Sequence, residues 1–379
     1  MSPFYGWDSA VPGTPGRLLR QEPLPAEHML VNASGGIRIL YSSTDGLDGN
    51  TPIAVSGAVY FPKRSKPQEG WPVIAWAHGT TGVADICAPS WSMRSQRDVD
   101  YLNAWLDQGY AIVATDYQGL GMPGGHPWLA VQPEAFSVLD SIRAAVNAFP
   151  DLAKSVVLVG QSQGAHAVLS ASLLAAHYAP DINVKATVAT GVPGISPFLP
   201  DSAAPKITTP PLSGRNGLGY HLLLMHASQV MVAGFNASAN VTDRAQAALD
   251  TAGTRCLGDL VTVLRQGGLT VENATKVSLD DLLSRLARFV QYPSVRFSTP
   301  VFVGTGLMDA DTVPEGQFNF ASAACFAGST VELHYYPGMD HGGAVNPSLV
   351  DSVPFVKAAF SGQTIRGNCS AIRPPPAAP

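Results

Sequence analysis

Five apolar runs, each stopped by a glycine, constrain this chain more than any other feature. They read W-P-V-I-A-W-A-H-G at 71–79, Y-A-I-V-A-T-D-Y-Q-G at 110–119, S-V-V-L-V-G at 155–160, V-K-A-T-V-A-T-G at 184–191 and T-P-V-F-V-G-T-G at 299–306. A short run of Val, Ile and Ala without polar alternation is the pattern of a strand covered on both faces. Helical stretches stand between them, A-F-S-V-L-D-S-I-R-A-A-V-N-A-F at 135–149 and G-A-H-A-V-L-S-A-S-L-L-A-A-H at 164–177. Strand and helix in alternation build a mostly parallel sheet flanked by helices, an α/β class. Two earlier and more polar runs, at 37–43 and 55–62, read as an antiparallel hairpin at one edge.

The rhythm fails between 193 and 297, where P-F-L-P-D-S-A-A-P-K-I-T-T-P-P-L gives way to helical text such as V-S-L-D-D-L-L-S-R-L-A-R-F-V. Roughly 100 residues between two core strands exceed any simple crossover, so this interval predicts a mainly helical cap. The core then falls into two parts, 1–192 and 298–370, with 1–35 expected to wrap the core and 371–379 a Pro-rich tail. A chain of 379 residues accommodates one such domain with a large insertion.

Charged residues make up only 13% of the chain against 46% hydrophobic ones, and the net charge is -5. A nucleic-acid partner would require a basic stripe, and no window supplies one. Weak polarity suits contact with apolar molecules, a lipid interface included. No window reaches the length of a transmembrane span. The start M-S-P-F-Y-G-W-D lacks the basic and apolar regions of a signal peptide. Four cysteines, Cys87, Cys256, Cys325 and Cys369, form no cluster with metal spacing. They are either buried thiols or two disulfides.

The third run leads into G-Q-S-Q-G, with Ser162 between Gly160 and Gly164. If a strand ends at Gly160 and a helix starts just after Ser162, the serine occupies a strained turn whose flanks tolerate only very small residues. Such a turn lifts the hydroxyl above the carboxyl edge of the sheet, where ligands bind in open parallel sheets. A serine hydroxyl needs a base to take its proton and an acid to orient that base. Of nine histidines, His341 lies in the Gly-rich Y-Y-P-G-M-D-H-G-G, after the strand-like V-E-L-H-Y-Y. His166, His177, His221, His226 and His334 fall inside predicted elements and read as packing residues, while His28 and His126 lie in loops with nothing to argue from. The run T-P-V-F-V-G-T-G enters L-M-D-A-D-T-V-P, which places Asp309 and Asp311 at a strand end; Asp309 is preferred and Asp311 stays open. Asp340 reads as a loop-shaping residue. The order Ser, Asp, His is that of α/β hydrolases. H-G-T-T-G at 78–82 follows the first run, where the backbone N–H of Thr80 or Thr81 joins that of Gln163 as an oxyanion donor.

In A-W-A-H-G-T-T-G-V-A-D-I-C-A-P-S, A-T-D-Y-Q-G-L-G with G-G-H-P-W-L, G-Q-S-Q-G-A-H-A and Y-P-G-M-D-H-G-G-A-V-N-P-S-L, the chain resembles the secretory lipases, fungal lipase A and its bacterial branch included. The likeness runs from about residue 14 to 370. It implies an α/β-hydrolase fold with a cap, Ser162 as nucleophile, Asp309 as acid and His341 as base. It also implies disulfides joining Cys87 to Cys256 and Cys325 to Cys369, and export to a secreted or periplasmic setting. Bacterial relatives usually carry His where this chain has Gln161, a departure that matters little to the mechanism on this reading, and the acid loop is longer than the fungal one. The expected activity is carboxylic-ester hydrolysis of a small-molecule, lipid or polymeric ester, without metal or organic cofactor. Two rivals are an acyltransferase or amidase using the same triad, and an inactive binding protein on the same scaffold. Substrate preference, cap mobility and oligomeric state have no signature in the sequence.

Overall fold

The structure, a computed structural model, describes residues 1–194 and 216–376. Residues 195–215 of the expected cap interval and 377–379 of the tail lie outside the described residues. One sheet contains β1 (Leu18–Pro23), β2 (Ala33–Thr44), β3 (Pro52–Pro62), β4 (Trp71–Ala77), β5 (Ala111–Thr115), β6 (Leu152–Gln161), β7 (Asn183–Thr190), β8 (Val301–Gly306) and β9 (Val331–Tyr336). The spatial order is β1-β2-β3-β5-β4-β6-β7-β8-β9. From β5 to β9 the strands are parallel, and β1, β2 and β3 pair antiparallel.

The five glycine-stopped runs are β4 to β8, and the more polar pair is β2 with β3. That pair is not the edge. β1, drawn from the segment expected only to wrap the core, pairs outside β2. Its sequence L-L-R-Q-E-P hides it, because an edge strand buries little and tolerates both charge and a terminal proline.

Both faces of the sheet are covered, and the strands show it residue by residue. Val156 and Leu158 of β6 join the apolar layer under α2 (Val131–Ala148) and α3 (Gln163–Tyr178). Their neighbours Val157 and Val159 join the opposite layer, under α1 (Gln96–Asp107) and α10 (Leu349–Phe360). Alternate side chains on a pleated strand point to opposite faces, so a run apolar at every position needs two layers.

Between β7 and β8 lie α4 (Gly217–Met231), α5 (Gln246–Thr254), α6 (Leu257–Gln266), α7 (Val271–Ala274) and α8 (Leu279–Val290). In α8, Leu282, Leu286 and Val290 recur every four residues and are buried. Ser278 Oγ caps it by accepting from the Asp281 N–H at 3.1 Å, and Asp280 and Asp281 sit at its positive end. These helices bury an apolar cluster of their own, which also takes in Trp128 and Leu129 from the core. α9 (Pro314–Phe326) follows β8. Disulfides join Cys87 to Cys256 and Cys325 to Cys369, the first linking the loop after β4 to the N-terminus of α6.

Candidate active site

Ser162 is the single residue between β6 and α3, with φ 58° and ψ -120°. A side chain at that positive φ is strained, and only packing on both sides holds it there. The flanking glycines supply the packing. A Cβ on Gly160 would lie 2.1 Å from the Gly164 carbonyl oxygen, and one on Gly164 would lie 1.9 Å from that of Ala77 in β4. The Ser162 N–H donates to Thr190 O at 2.9 Å, and its carbonyl accepts from the His166 N–H, the first turn of α3. Ser162 opens into a cavity of about 970 Å³ whose wall also carries Thr80, Thr81, Gln161 and His341.

The loops after β8 and β9 meet at this cavity. His341 Nδ1 lies 2.8 Å from Asp309 Oδ2. Asp309 is buried at the mouth of a tight turn, where its Oδ1 accepts from the N–H groups of Asp311 and Thr312 at 3.0 and 2.8 Å. Its Oδ2 also accepts from Thr312 Oγ1 at 2.8 Å and from Gln317 Nε2 of α9 at 3.1 Å. Asp311 turns the other way. Its Oδ2 accepts from Asn216 Nδ2 and Tyr220 OH, both at 3.3 Å, where α4 begins. Burial, with Asp309 adding to it, pushes the Asp311 carboxyl up, against the pull of His341. Of the two acids, Asp309 is the one on the imidazole. Asp340 Oδ1 accepts from the Gly343 N–H at 2.7 Å and so shapes the histidine loop.

Thr80 and Gln163 share with Ser162 the wall of a smaller recess toward α4, bounded by Trp128, Tyr220 and Asp311. Thr81 borders only the larger cavity, and its carbonyl accepts from the Leu257 N–H at 2.8 Å. A buried network lies behind this wall. Trp128 Nε1 donates to Gln163 Oε1 at 3.0 Å and to Thr80 Oγ1 at 3.2 Å. Gln163 Nε2 donates to Glu134 Oε1 at 3.0 Å and to His126 Nε2 at 2.8 Å. Burial pushes His126 down to about 4, so its ring is neutral and Nε2 is free to accept while Nδ1–H donates to Gln118 O at 2.8 Å. Glu134 Oε2 lies 2.7 Å from His166 Nδ1, and His166 Nε2 lies 3.1 Å from Val290 O at the end of α8.

Three neighbours of the Asp–His pair escaped sequence reasoning. Thr312 and Gln317 hold the carboxylate, and no spacing rule marks a glutamine one helical turn along α9 as its partner. Gln161 is the third, with its side-chain Nε2 3.1 Å from His341 Nε2. Its adjacency to the serine was the available signal. Together the site offers a hydroxyl on a strained turn, an imidazole backed by a buried carboxylate, and backbone N–H groups at a helix start, the equipment of acyl transfer. Among the described residues, no group of His, Cys, Asp and Glu could hold a metal ion, and no helix is long and apolar enough to cross a membrane.

Comparison with known proteins bears on the fold and the family. Lipase 7 of Candida albicans is 30% identical over 211 residues, 52% of this chain and 46% of the relative, so the match spans about half of that protein's length. A secreted triacylglycerol lipase of Malassezia globosa is 24% identical over 404 aligned positions, 97% of this chain and 79% of the relative. Among solved structures, Candida antarctica lipase A in its closed state superposes with a TM-score of 0.76 at 23% identity, covering 98% of this chain and 89% of that one. A rice cell wall degrading esterase from Xanthomonas oryzae gives 0.67 at 19% identity, covering 92% and 98%. These likenesses show an α/β-hydrolase fold. Residues 87–363 match the family described as Secretory lipase, and the chain belongs to that family.

Proposed function

We propose that the chain is a serine carboxylic-ester hydrolase, a lipase or esterase, that cleaves apolar acyl esters through an acyl-serine intermediate. The observation that carries this reading is the 2.8 Å His341–Asp309 pair, on the same cavity as the strained Ser162. In this mechanism His341 Nε2 takes the Ser162 proton as Oγ attacks the ester carbonyl, and Asp309 orients and stabilises the imidazolium. The N–H groups of Gln163 and of Thr80 or Thr81 hold the tetrahedral oxyanion, about 3 to 4 kcal/mol for one donor. His341 then gives the proton to the departing alcohol, and water repeats the sequence to release the acid. The described helices of the insertion, α4 to α8, act as a cap over the acyl pocket. The cavity is large enough for an extended acyl chain, and its wall mixes Met93, Met308 and Val261 with polar groups. Family membership and the two disulfides support a secreted protein.

The decisive variant is Ser162→Ala. It keeps the fold, measured by circular dichroism and melting temperature, and loses hydrolysis of a p-nitrophenyl ester together with covalent labelling by a fluorophosphonate. A purified variant that retained the rate would overturn the reading.

A further inference from the structure

We propose that Gln161 is a positioning residue for the base: its side-chain amide engages the lone pair of His341 Nε2 before the ester arrives and thereby favours the neutral ring. The proposal deepens the functional reading above and rests on its assignment of Ser162, Asp309 and His341.

The tautomer follows from the other side of the ring. Nδ1 faces the Asp309 carboxylate, a pure acceptor, at 2.8 Å, so Nδ1 carries the hydrogen and Nε2 carries the lone pair. Thr312 Oγ1, 3.1 Å from Nδ1, is a second acceptor there, since its own hydrogen goes to Asp309. The group facing the lone pair is the Gln161 amide nitrogen at 3.1 Å, which donates. Among the described residues, no hydrogen bond joins Ser162 Oγ to the ring.

Two glycines make the slot in which amide and ring meet. A Cβ on Gly79 would lie 2.4 Å from Gln161 Oε1, and one on Gly191 would lie 2.8 Å from His341 Cε1. Gln161 itself is 1% exposed, so water does not compete for its amide. A donor aimed at Nε2 stabilises the neutral imidazole and opposes the imidazolium, whose new N–H would meet an N–H. When the Ser162 proton moves to Nε2, the amide must turn to present Oε1 or the ring must move toward the serine. Among the described residues, the charged groups about the ring include Asp309 and Asp311 on the acid loop, Asp340 beside it in sequence, and Arg97 of α1, whose guanidinium lies near Gly342, with Arg94 and Asp98 further along the same wall. None of them changes in the test that follows.

The test is the pH profile of kcat/KM for a soluble p-nitrophenyl ester, whose acidic limb reports protonation of the free enzyme's base. Gln161→Met removes the donor at similar volume and moves the acidic limb up by about 0.5 to 1 pH unit, the scale of one hydrogen bond. Gln161→Glu puts an acceptor and a negative charge against Nε2 and moves the limb further in the same direction. Should the Met variant fail to fold, the Glu variant decides. Limbs that stay within about 0.2 units of the parent in a folded variant, or that move down, overturn the proposal. Loss of a contact that served only packing would lower stability or rate and leave the limb in place. Ser162→Ala, run beside them, separates the two levels: if it keeps full activity, the functional reading fails, whereas unmoved limbs over an inactive Ser162→Ala sink only the role of Gln161.

Discussion

Asp309 and Asp311 stand two residues apart and both border the site, yet their surroundings give them different work. Asp309 is buried and accepts from five donors, one of them the imidazole. Asp311 spends its carboxylate on Asn216 and Tyr220. We therefore expect Asp309→Asn to lower kcat by about 10⁴, because an amide admits the wrong imidazole tautomer. Asp311→Asn should leave kcat within about tenfold, and steady-state kinetics on both variants decides which acid serves the histidine. The sequence could rank these two acids but not separate them, since both lie past the end of one strand and only the turn geometry aims one inward. Ser162 and His341 could be singled out because each has an unusual neighbourhood, a glycine-flanked strand end and a Gly-rich loop. Gln161 illustrates the opposite case. Read as a substitution of small consequence, it proves to touch the ring, a contact that depends on how a strand end and a loop 180 residues apart come together.

At the level of elements, the elbow is a three-body contact among β4, β6 and α3. Gly164→Ala places a methyl 1.9 Å from the Ala77 carbonyl oxygen, and backbone cannot step aside as a flexible side chain would. We expect that variant to be destabilised by at least about 3 kcal/mol, the upper range for overpacking, in urea unfolding followed by fluorescence. A second joint runs through Glu134 and His166, fully buried on α2 and α3, with Val290 O closing it from α8. The imidazole thereby ties α3 to α2 on one side and to the end of α8 on the other. Glu134→Ala leaves a buried ring nitrogen without its partner and should cost about 1 to 3 kcal/mol in the same assay. It should also lower kcat, since Gln163 loses one of its two acceptors beside the serine. The parallel strands and their helices were readable because full burial leaves unbroken apolar runs. β1 was not, because an edge strand has one covered face and its polar residues look like loop.

The whole molecule carries its acid sensitivity inside. Burial pushes His78, His126 and His221 down to about 4 from the ordinary 6.5. Their unfolded forms bind protons more readily, so the stability they confer is complete above pH 6.5 and lost as pH falls toward 4, roughly 3 kcal/mol for each. Asp140 works against this. Its folded carboxyl is raised to about 6 from 3.8, so it favours the fold as pH drops through that window, and Asp85, Asp116 and Asp311 are raised in the same sense. Three histidines outweigh these in the upper part of the range, and calorimetry should find a lower melting temperature at pH 5 than at pH 7. The disulfides act on the unfolded chain. Loop closure over separations of 169 and 44 residues is worth about 5 and about 4 kcal/mol in the entropy description, so a reductant should lower the melting temperature by several degrees. The Cys87–Cys256 bond has a further consequence when taken with the Leu257 N–H to Thr81 O contact beside it. One corner of the helical insertion is riveted to the loop that carries Thr80 and Thr81. Any displacement of that insertion is therefore smallest at residue 256 and is left to the parts remote from that corner. A door hung this way can widen the entrance while leaving its hinge post, and the N–H groups mounted on it, in register with Ser162.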